Sequence, residues 1–117
     1  MTDFAKIILE EYRNGKRYFY DLNLEYENFD DQDLQDIIFE ICFLYSSFRR
    51  ANLTNAKFIN GNIKTCDFTE ANLTNAYFEN LSVEGAQFAR EILFKRKIKK
   101  SKAFVINFAS YLRNIYP

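Results

Sequence analysis

The side chains that could do chemistry in this chain are limited by one absence, since none of its 117 residues is a histidine. That composition excludes a histidine general base, a Ser-His or Cys-His nucleophilic pair and a histidine metal site. The carboxylates are concentrated on Asp30, Asp31, Asp33 and Asp36. These four residues form a candidate acidic surface for a partner protein, although clustered charges are often no more than a solvated face. We expect no catalytic residue, cofactor or metal.

The carboxylates lie within a repeat that occupies most of the chain. Large apolar residues recur at every fifth position, phenylalanine alternates with an aliphatic residue, and only the step from Leu44 to Phe48 is four residues long. A period of five fits neither a helix, with a period of 3.6, nor a strand, with a period of 2. Self-similarity at a fixed period indicates a solenoid. The central residues are Phe19, Leu24, Phe29, Leu34, Phe39, Leu44, Phe48, Leu53, Phe58, Ile63, Phe68, Leu73, Phe78, Val83 and Phe88.

A second pattern lies two residues before each central residue, where the side chain is usually small. Asn or Asp often follows it, as in Ala-Asn-Leu-Thr-Asn at 51–55 and again at 71–75. These units make the chain resemble the pentapeptide-repeat family over about residues 17–88. The small residues are Ala51, Ala56, Gly61, Cys66, Ala71, Ala76 and Ala86.

The resemblance implies an all-β solenoid, a right-handed quadrilateral β-helix with one pentapeptide on each side and just under four coils. Because phenylalanine alternates with aliphatic residues, two phenylalanine stacks would then lie on opposite walls. We expect Phe58 and Phe68 to be fully buried, each stacked on the phenylalanine one coil away. Cys42 and Cys66 fall at small inward positions. We interpret them as core residues rather than as a disulfide or as metal ligands.

Two departures from the pattern are expected to disturb the solenoid. Arg17 and Glu27 stand at the small position of early units. A charge in a dry core is costly unless it is paired, so we expect both near an N-terminal cap over a loose first coil. At the four-residue step, the alternation selects Leu44 rather than Phe43 as the central residue. One residue is then missing around 45–47.

The chain is expected to be a single domain, residues 1–117, with a helical cap before the repeat. An open β-helix end leaves unpaired backbone groups, so such a cap is needed. The helix at 3–14 would place Phe4, Ile7, Ile8 and Tyr12 on one face. The expected order is an N-terminal helical cap at 1–16, the pentapeptide-repeat β-helix at 17–88 and a basic, helical C-terminal segment at 89–117.

The C-terminal segment combines apolar and basic residues. Ile92, Leu93 and Ile98 suggest a helical cap on the last coil, and Ser101 would begin a second helix. Too much apolar surface would lie along that helix for a monomer to leave wet, so we expect a homodimer through the C-terminal helices. The candidate self-association surface is Phe104, Phe108, Leu112 and Ile115.

The zero net charge hides an asymmetry between the repeat and the C-terminal segment. Residues 17–88 hold twelve acids and five bases, a net of minus seven, whereas residues 89–117 hold one acid and eight bases, a net of plus seven. The basic segment could dock on the acidic stem of its own or a neighbouring molecule, touch a phosphate surface, or lie on a membrane surface. We favour docking on the acidic stem.

The function expected from these features is a non-enzymatic protein–protein interaction scaffold that presents rigid walls to a protein partner. The alternative comes from the quinolone-resistance branch of the family, and it is a DNA-mimicking binder of a type II topoisomerase (gyrase). A short stem and a basic C-terminal segment disfavour that alternative, and direct nucleic-acid binding is not favoured either. The acidic, helical N-terminus is unlike a signal peptide, and no apolar run is long enough for a membrane span. We expect a bacterial, cytoplasmic protein.

Overall fold

The computed structural model describes residues 3–88 and the backbone of residues 98–99. The strands are short and pair in parallel, in one sheet of order β1-β2-β3-β5-β7 and a second of order β4-β6. The elements in these residues are α1 (Phe4–Arg13), β1 (Tyr18–Tyr20), β2 (Ile38–Glu40), β3 (Lys57–Ile59), β4 (Asp67–Phe68), β5 (Ala76–Glu79), β6 (Gln87–Phe88) and β7 (Ile98–Lys99).

The register places each central residue over its counterpart in the next coil. Phe19 pairs with Phe39, Phe39 with Phe58 and Phe58 with Phe78. Parallel bridges outside the named strands add further columns, which contain Asn23 with Phe43, Asn28 with Ser47 and Asp33 with Asn52. The pairs therefore fall in four columns, which agrees with a chain that turns after every pentapeptide.

The corners between the walls are made by two devices that recur with the five-residue period. The residue before the central residue accepts a hydrogen bond from the amide two positions on, as Asn52 does from the amide of Thr54 at 3.2 Å and Asn62 from that of Lys64 at 2.8 Å. This Asx turn suits Asn and Asp. The second device is a left-handed backbone conformation, with positive φ, at the residue two positions after the central residue. The residues in this conformation are Asp21, Tyr26, Asp31, Asp36, Ile41, Arg50, Asn55, Asn60, Thr65, Glu70, Asn75, Asn80 and Gly85.

The four-residue step omits one of these left-handed corner residues. Ile41 and Arg50 have φ of 54° and 57°, and no left-handed residue lies between them. Leu44 is 1% exposed and Phe43 is 46% exposed, so the selection of Leu44 as the central residue is confirmed. The shortened coil is tight, because a Cβ on Gly61 would lie 2.5 Å from the backbone oxygen of Cys42 in the coil below.

The predicted phenylalanine core is confirmed. Phe58 and Phe68 are buried, and they stack on Phe78 and Phe88 respectively, with ring centroids 5.0 Å apart in both pairs. The two stacks also meet edge to face across the axis, at 5.7 Å between the centroids of Phe58 and Phe68. Loss of either ring would cost about 3–5 kcal/mol. Ile37 is also buried inward, at a position that is small in most other units.

Helix α1 caps the first coil through the charged residues at small inward positions. Glu27 accepts a hydrogen bond from the amide of Ala5 at 2.9 Å, in the first turn of the helix. The guanidinium of Arg17 donates to the carbonyl of Tyr12 at 2.7 Å and lies over the Tyr12 ring. The expected location of both charges beside the cap is confirmed. The first coil is nevertheless packed rather than loose, since its central residue Phe19 is only 1% exposed.

The buried face of α1 differs from the predicted one. Ala5 and Ile8 enter the core and Tyr12 is partly buried, whereas Phe4 and Ile7 are 48% and 45% exposed. The helix is rotated because its first turn docks through Ala5 on Glu27. Two large apolar side chains of the cap therefore remain on the surface.

The end of the β1-β2-β3-β5 wall carries a strand where a helix was expected. Ile98 pairs with Ala76 and Lys99 with Tyr77, so the assignment of Ile98 to a helical cap is wrong. An uncovered β5 would leave a row of unpaired backbone groups, which a parallel strand satisfies directly. The predictions for Ile92, Leu93 and a helix beginning at Ser101 lie outside the described residues.

Candidate protein-interaction surfaces

The predicted acidic surface is divided between two corners of the first coil. At the first corner, Asp30 and Asp31 accept hydrogen bonds from other residues of the fold. Asp30 accepts hydrogen bonds from the hydroxyl of Ser47 at 2.5 Å and the amide of Arg49 at 2.8 Å. Asp31 accepts two hydrogen bonds from Arg50, at 2.7 and 3.0 Å. This contact lowers the pKa of the Asp31 carboxyl below its ordinary value. Both carboxylates therefore bind groups of the next coil.

At the second corner, the carboxylates of Asp33 and Asp36 make no described hydrogen bond to the next coil. Asp33 accepts hydrogen bonds from the backbone and side chain of Gln35, at 3.3 and 3.1 Å, and so makes an Asx turn. Asp36 is the left-handed corner residue, with φ of 65°, and its side chain is exposed. The structure thus places the four predicted residues at two successive corners of one coil, and Asp36 is the one whose carboxylate accepts no described hydrogen bond.

An exposed apolar surface, which the sequence analysis missed, lies around a different corner. Tyr18 and Tyr20 point outward from β1 with 47% and 54% of their surface exposed. Ile41 and Phe43, one coil on, are 38% and 46% exposed. Ile41 lies at the corner beside Asp21, whose amide donates to the carbonyl of Glu40 in the next coil at 3.0 Å. The available signal was the occurrence of large apolar residues next to central residues, where most units carry polar ones.

Carboxylates accompany these apolar side chains, and cations are absent from the same stretch of chain. Asp21, Glu25 and Glu40 lie on outward or corner positions of the same two coils, while no Lys or Arg occurs from 18 to 48. The hydroxyl of Tyr18 donates to Glu40 at 2.6 Å, and this bond raises the pKa of Tyr18 to about 12. We call Tyr18, Tyr20, Ile41 and Phe43, with Asp21, Glu25 and Glu40, the apolar–acidic surface.

Ile41 adopts a backbone conformation that is unfavourable for its type. It has φ of 54°, a left-handed conformation that is a genuine outlier for a β-branched residue. Asp21, Asn60 and Asn80 occupy the equivalent corners, and Asp and Asn tolerate this conformation. Asn80 even donates to Asn60 at 2.9 Å along this corner. An exposed isoleucine at such a site destabilises the folded state through backbone strain, and no burial of its side chain offsets that cost.

The polar groups beneath α1 and the two cysteines are accounted for by the fold. An open cleft beneath α1 contains Glu27, which caps the helix with Asp3. Cys42 and Cys66 are buried free thiols, which confirms their interpretation as core residues. Burial raises the pKa of Cys66 to about 12, so the thiolate needed for reactivity is suppressed. Within residues 3–88, no cluster of acids and cysteines has the arrangement of a metal site.

The candidate self-association surface at Phe104, Phe108, Leu112 and Ile115 lies outside the described residues. A membrane-crossing helix is not found in the described part of the chain, since none there is both long and apolar enough.

Parallel columns, an inward phenylalanine and a polar Asx corner in successive five-residue units define a β-solenoid built from pentapeptides. The model of the pentapeptide-repeat family matches residues 46–82 and 66–90, with eight copies of the repeat. Residues 46–90 of the chain are thus a run of pentapeptide repeats. Comparison with curated proteins finds no significant match.

Two solved structures of pentapeptide-repeat proteins match this chain. Rfr23 from Cyanothece 51142 aligns with a TM-score of 0.58 and 20% identity, over 62% of this chain and 50% of that one. The chain thus spans half the length of Rfr23, and the likeness concerns the fold alone. The second is alr5209 from Nostoc Pcc 7120, with a TM-score of 0.33 and 18% identity, over 73% of this chain and 95% of that one.

Proposed function

We propose that this pentapeptide-repeat protein is a non-enzymatic scaffold that binds a protein partner through the apolar–acidic surface. The observation that carries the proposal is Ile41, a β-branched side chain held exposed in a left-handed corner. Backbone strain of this kind costs of order 1–3 kcal/mol and clusters at functional sites. Tyr20 and Phe43 flank Ile41 on the two adjoining walls.

The composition of the surface favours one class of partner. Tyrosine and phenylalanine bury a large area at small entropic cost and are enriched in protein interfaces. The carboxylates of Asp21, Glu25 and Glu40 add negative charge on the stretch from 18 to 48, which contains no Lys or Arg. A partner segment that carries both apolar and basic side chains fits this combination.

The non-enzymatic character of the proposal is supported by how the polar groups are used. Asn52, Asn62, Asp67 and Asn72 accept hydrogen bonds that form corners. No buried side-chain nitrogen or oxygen of the described residues lacks a hydrogen-bond partner. A buried, unpaired or base-activated group of the kind that catalysis requires is therefore not seen among residues 3–88.

The alternative, a DNA mimic directed at gyrase, finds less support in the charge pattern. Arg50 lies between Asp31 and Glu70 in one corner column, and both acids raise its pKa. A mimic of the phosphate backbone would present carboxylates in succession rather than acid, base and acid. Its test is inhibition of gyrase supercoiling by the full chain, and strong inhibition at stoichiometric protein would replace the scaffold proposal.

The proposal is tested by capture from a lysate of the native cell on the immobilised full chain. A Tyr20→Ser, Phe43→Ser variant should lose a specific protein that the wild type retains. The matched control is Phe4→Ser, Ile7→Ser, which removes similar exposed apolar area from α1 and should retain that protein. Calorimetric titration with the purified partner must then reproduce the difference. Equal capture by all three proteins would refute the assignment of this surface.

Several finer expectations belong to the proposal. The right-handed sense and the extent of just under four coils are supported by the parallel columns, because parallel crossovers are almost always right-handed. A cytoplasmic location is supported by Cys42 and Cys66, which are free thiols. A homodimer through Phe104, Phe108, Leu112 and Ile115 is a separate proposal, and ultracentrifugation of the full chain tests it.

A further inference from the structure

We infer that an extended segment of the partner protein adds as a further strand to the edge of β1 that faces away from β2, which we call the free edge. The inference deepens the proposed function, on which it rests, because it names how the partner engages the apolar–acidic surface. Strand addition combines backbone hydrogen bonds, which supply affinity, with side-chain contacts, which supply specificity.

The backbone of β1 is paired on one side only. In the sheet of order β1-β2-β3-β5-β7, β1 has β2 on one side and no strand on the other. Alternate residues of a strand in a parallel sheet turn their backbone groups toward the same neighbour. The carbonyl of Arg17 accepts from an amide of β2 at 2.7 Å, and the amide of Asp21 donates to a carbonyl of β2 at 3.0 Å. Tyr18 and Tyr20 therefore turn their amides and carbonyls toward the free edge.

The cap docks on other walls and leaves the free edge without a partner. Helix α1 binds Glu27 through the amide of Ala5 at 2.9 Å and the carbonyl of Gln35 through the hydroxyl of Tyr12 at 2.8 Å. Among the described residues, no backbone group of the two tyrosines in β1 is hydrogen-bonded to the cap. A row of unpaired N–H and C=O groups is a template for another chain. At the other end of the same wall, β7 supplies such a strand, in parallel with β5.

The side chains beside the free edge define what an added strand must carry. The rings of Tyr18 and Tyr20 stack with their centroids 6.2 Å apart on the outer surface of β1. The outward residues of a parallel strand would lie one strand spacing from these rings, about 4.8 Å, within reach of cross-strand contact. The inward residues must be small, because Phe19 is 1% exposed and the Nζ atom of Lys16 already lies 4.9 Å from its ring centroid.

The charge beside the free edge favours a basic segment over a second copy of this chain. Asp21 directly follows β1 and Glu25 lies on the next wall, and neither exposed carboxylate accepts a described hydrogen bond. The two cations before β1 are engaged within the fold, Lys16 with Glu11 at 3.2 Å and Arg17 with a carbonyl of α1 at 2.7 Å. A second copy would bring the same carboxylates to the edge. The occupant is therefore a segment in which outward apolar or basic residues alternate with small inward ones.

The free edge is tested first in the full chain without a partner, by amide hydrogen exchange followed by NMR. The amides of Tyr18 and Tyr20 should exchange at least tenfold faster than those of Asp21 and Ile38, which donate hydrogen bonds between the first two coils. Slow exchange at both tyrosines in a monomer would show that the edge is already paired within the chain, and would overturn the inference.

Strand addition is then tested with the synthetic peptide acetyl-Lys-Ala-Phe-Ala-Phe-Ala-Lys-amide. At saturation it should slow exchange at Tyr18 and Tyr20 at least tenfold. The same peptide with N-methylated alanines cannot donate toward β1 and should bind at least tenfold more weakly. A peptide with leucine in place of alanine should also bind several-fold more weakly, because the space beneath Phe19 is filled. Absence of binding at millimolar peptide, or binding that N-methylation leaves unchanged, would overturn strand addition.

Two further outcomes separate this inference from its competitors. A dimer in sedimentation, with tyrosine amides of β1 that are protected and lose that protection on dilution, would overturn the partner segment in favour of a second copy. A protein captured through the side chains of Tyr20 and Phe43 that does not slow exchange at the amides of Tyr18 and Tyr20 would overturn strand addition alone. The scaffold proposal would then stand, because it depends on the capture experiment.

Discussion

Arg50 donates two hydrogen bonds to Asp31 in the preceding coil, from Nε at 2.7 Å and from Nη2 at 3.0 Å. A parallel two-bond contact of this type is among the stronger arrangements of an ion pair. Because Glu70 lies at the equivalent corner of the following coil, Arg50 is placed between two acids. The negative charge of the stem is thus partly compensated across coils.

The pairing predicts the titration of Asp31 in an Arg50→Gln variant. Loss of the charged donor should raise the pKa of Asp31 toward its ordinary value, as measured by carboxyl carbon NMR. Since the folded-state pKa is depressed, the stabilisation is present above the unfolded value near 4 and is lost as the pH falls through the folded value. Arg49→Gln is the control, and it should shift this pKa less. An unchanged Asp31 would show that the pair is not maintained in solution.

The sequence predicted the inward side chains of the structure better than the outward ones, because the repeat constrains only the inward positions. Alternation at period five identified Phe58 and Phe68 as buried, and it chose Leu44 over Phe43 because the pattern describes inward positions. It did not reveal the apolar–acidic surface, because outward positions are free to vary. The pairing of Arg50 with Asp31 depends on a coil of 19 residues at the four-residue step, a register that only the three-dimensional alignment makes apparent.

The face of α1 and the strand β7 were missed for a related reason. A helix outside the repeat can bury either of two overlapping apolar stripes, and the contact of Ala5 with Glu27 decides between them. Ile98 is a single apolar residue between basic ones, so periodicity around it does not separate a helix from a strand. The open edge of β5 supplies the deciding partner.

The stacked Asx corners predict a salt-dependent loss of stability in an Asn52→Asp, Asn72→Asp variant. Asn52 and Asn72 form a parallel β-bridge between adjacent coils, and Asn52 forms another with Asp33. Asp67 makes the same turn with the amide of Thr69, so a carboxylate preserves the corner itself. Repulsion between stacked carboxylates should then cost about 1 kcal/mol in denaturant unfolding at low salt. A loss that is equal at high salt would show that these side chains do not face one another.

The tight coil beside the four-residue step predicts that Gly61→Ala destabilises the protein. The added Cβ would lie 2.5 Å from the backbone oxygen of Cys42, so one coil must shift, at a cost of about 1–3 kcal/mol. The clash is with backbone, and the same cost should therefore appear in a Cys42→Ala background. Thermal unfolding measures the effect of Gly61→Ala in the wild-type background and in the Cys42→Ala background. Relief of the cost by Cys42→Ala would place the conflict on the side chain instead.

Burial of Cys66 predicts a loss of stability in alkaline solution. Its pKa is about 12 in the folded protein, above the ordinary value of 9.0, so the folded state retains a proton that the unfolded state releases. The contribution is full below pH 9 and declines as the pH rises toward 12, by up to about 1.4 kcal/mol per pH unit. Cys66→Ala should remove this part of the decline in urea unfolding series. Parallel stability profiles for the two proteins would contradict the burial of the thiol.

The central claim, that the apolar–acidic surface is maintained for binding, is tested most directly by Ile41→Asn. Asparagine tolerates the left-handed corner and would stand in line with Asn60 and Asn80, which already share a hydrogen bond. The variant should be about 1 kcal/mol more stable in denaturant unfolding, because the strain of a β-branched residue is removed. Ile41→Val is the control, since it keeps a β-branched residue at the corner.

The deciding measurement is the affinity of the Ile41→Asn variant for the captured partner, determined by calorimetry beside its free energy of unfolding. We predict that stability rises while affinity falls at least several-fold, because the side chain is exposed for contact rather than for folding. A more stable variant that binds the partner with unchanged affinity would contradict the account.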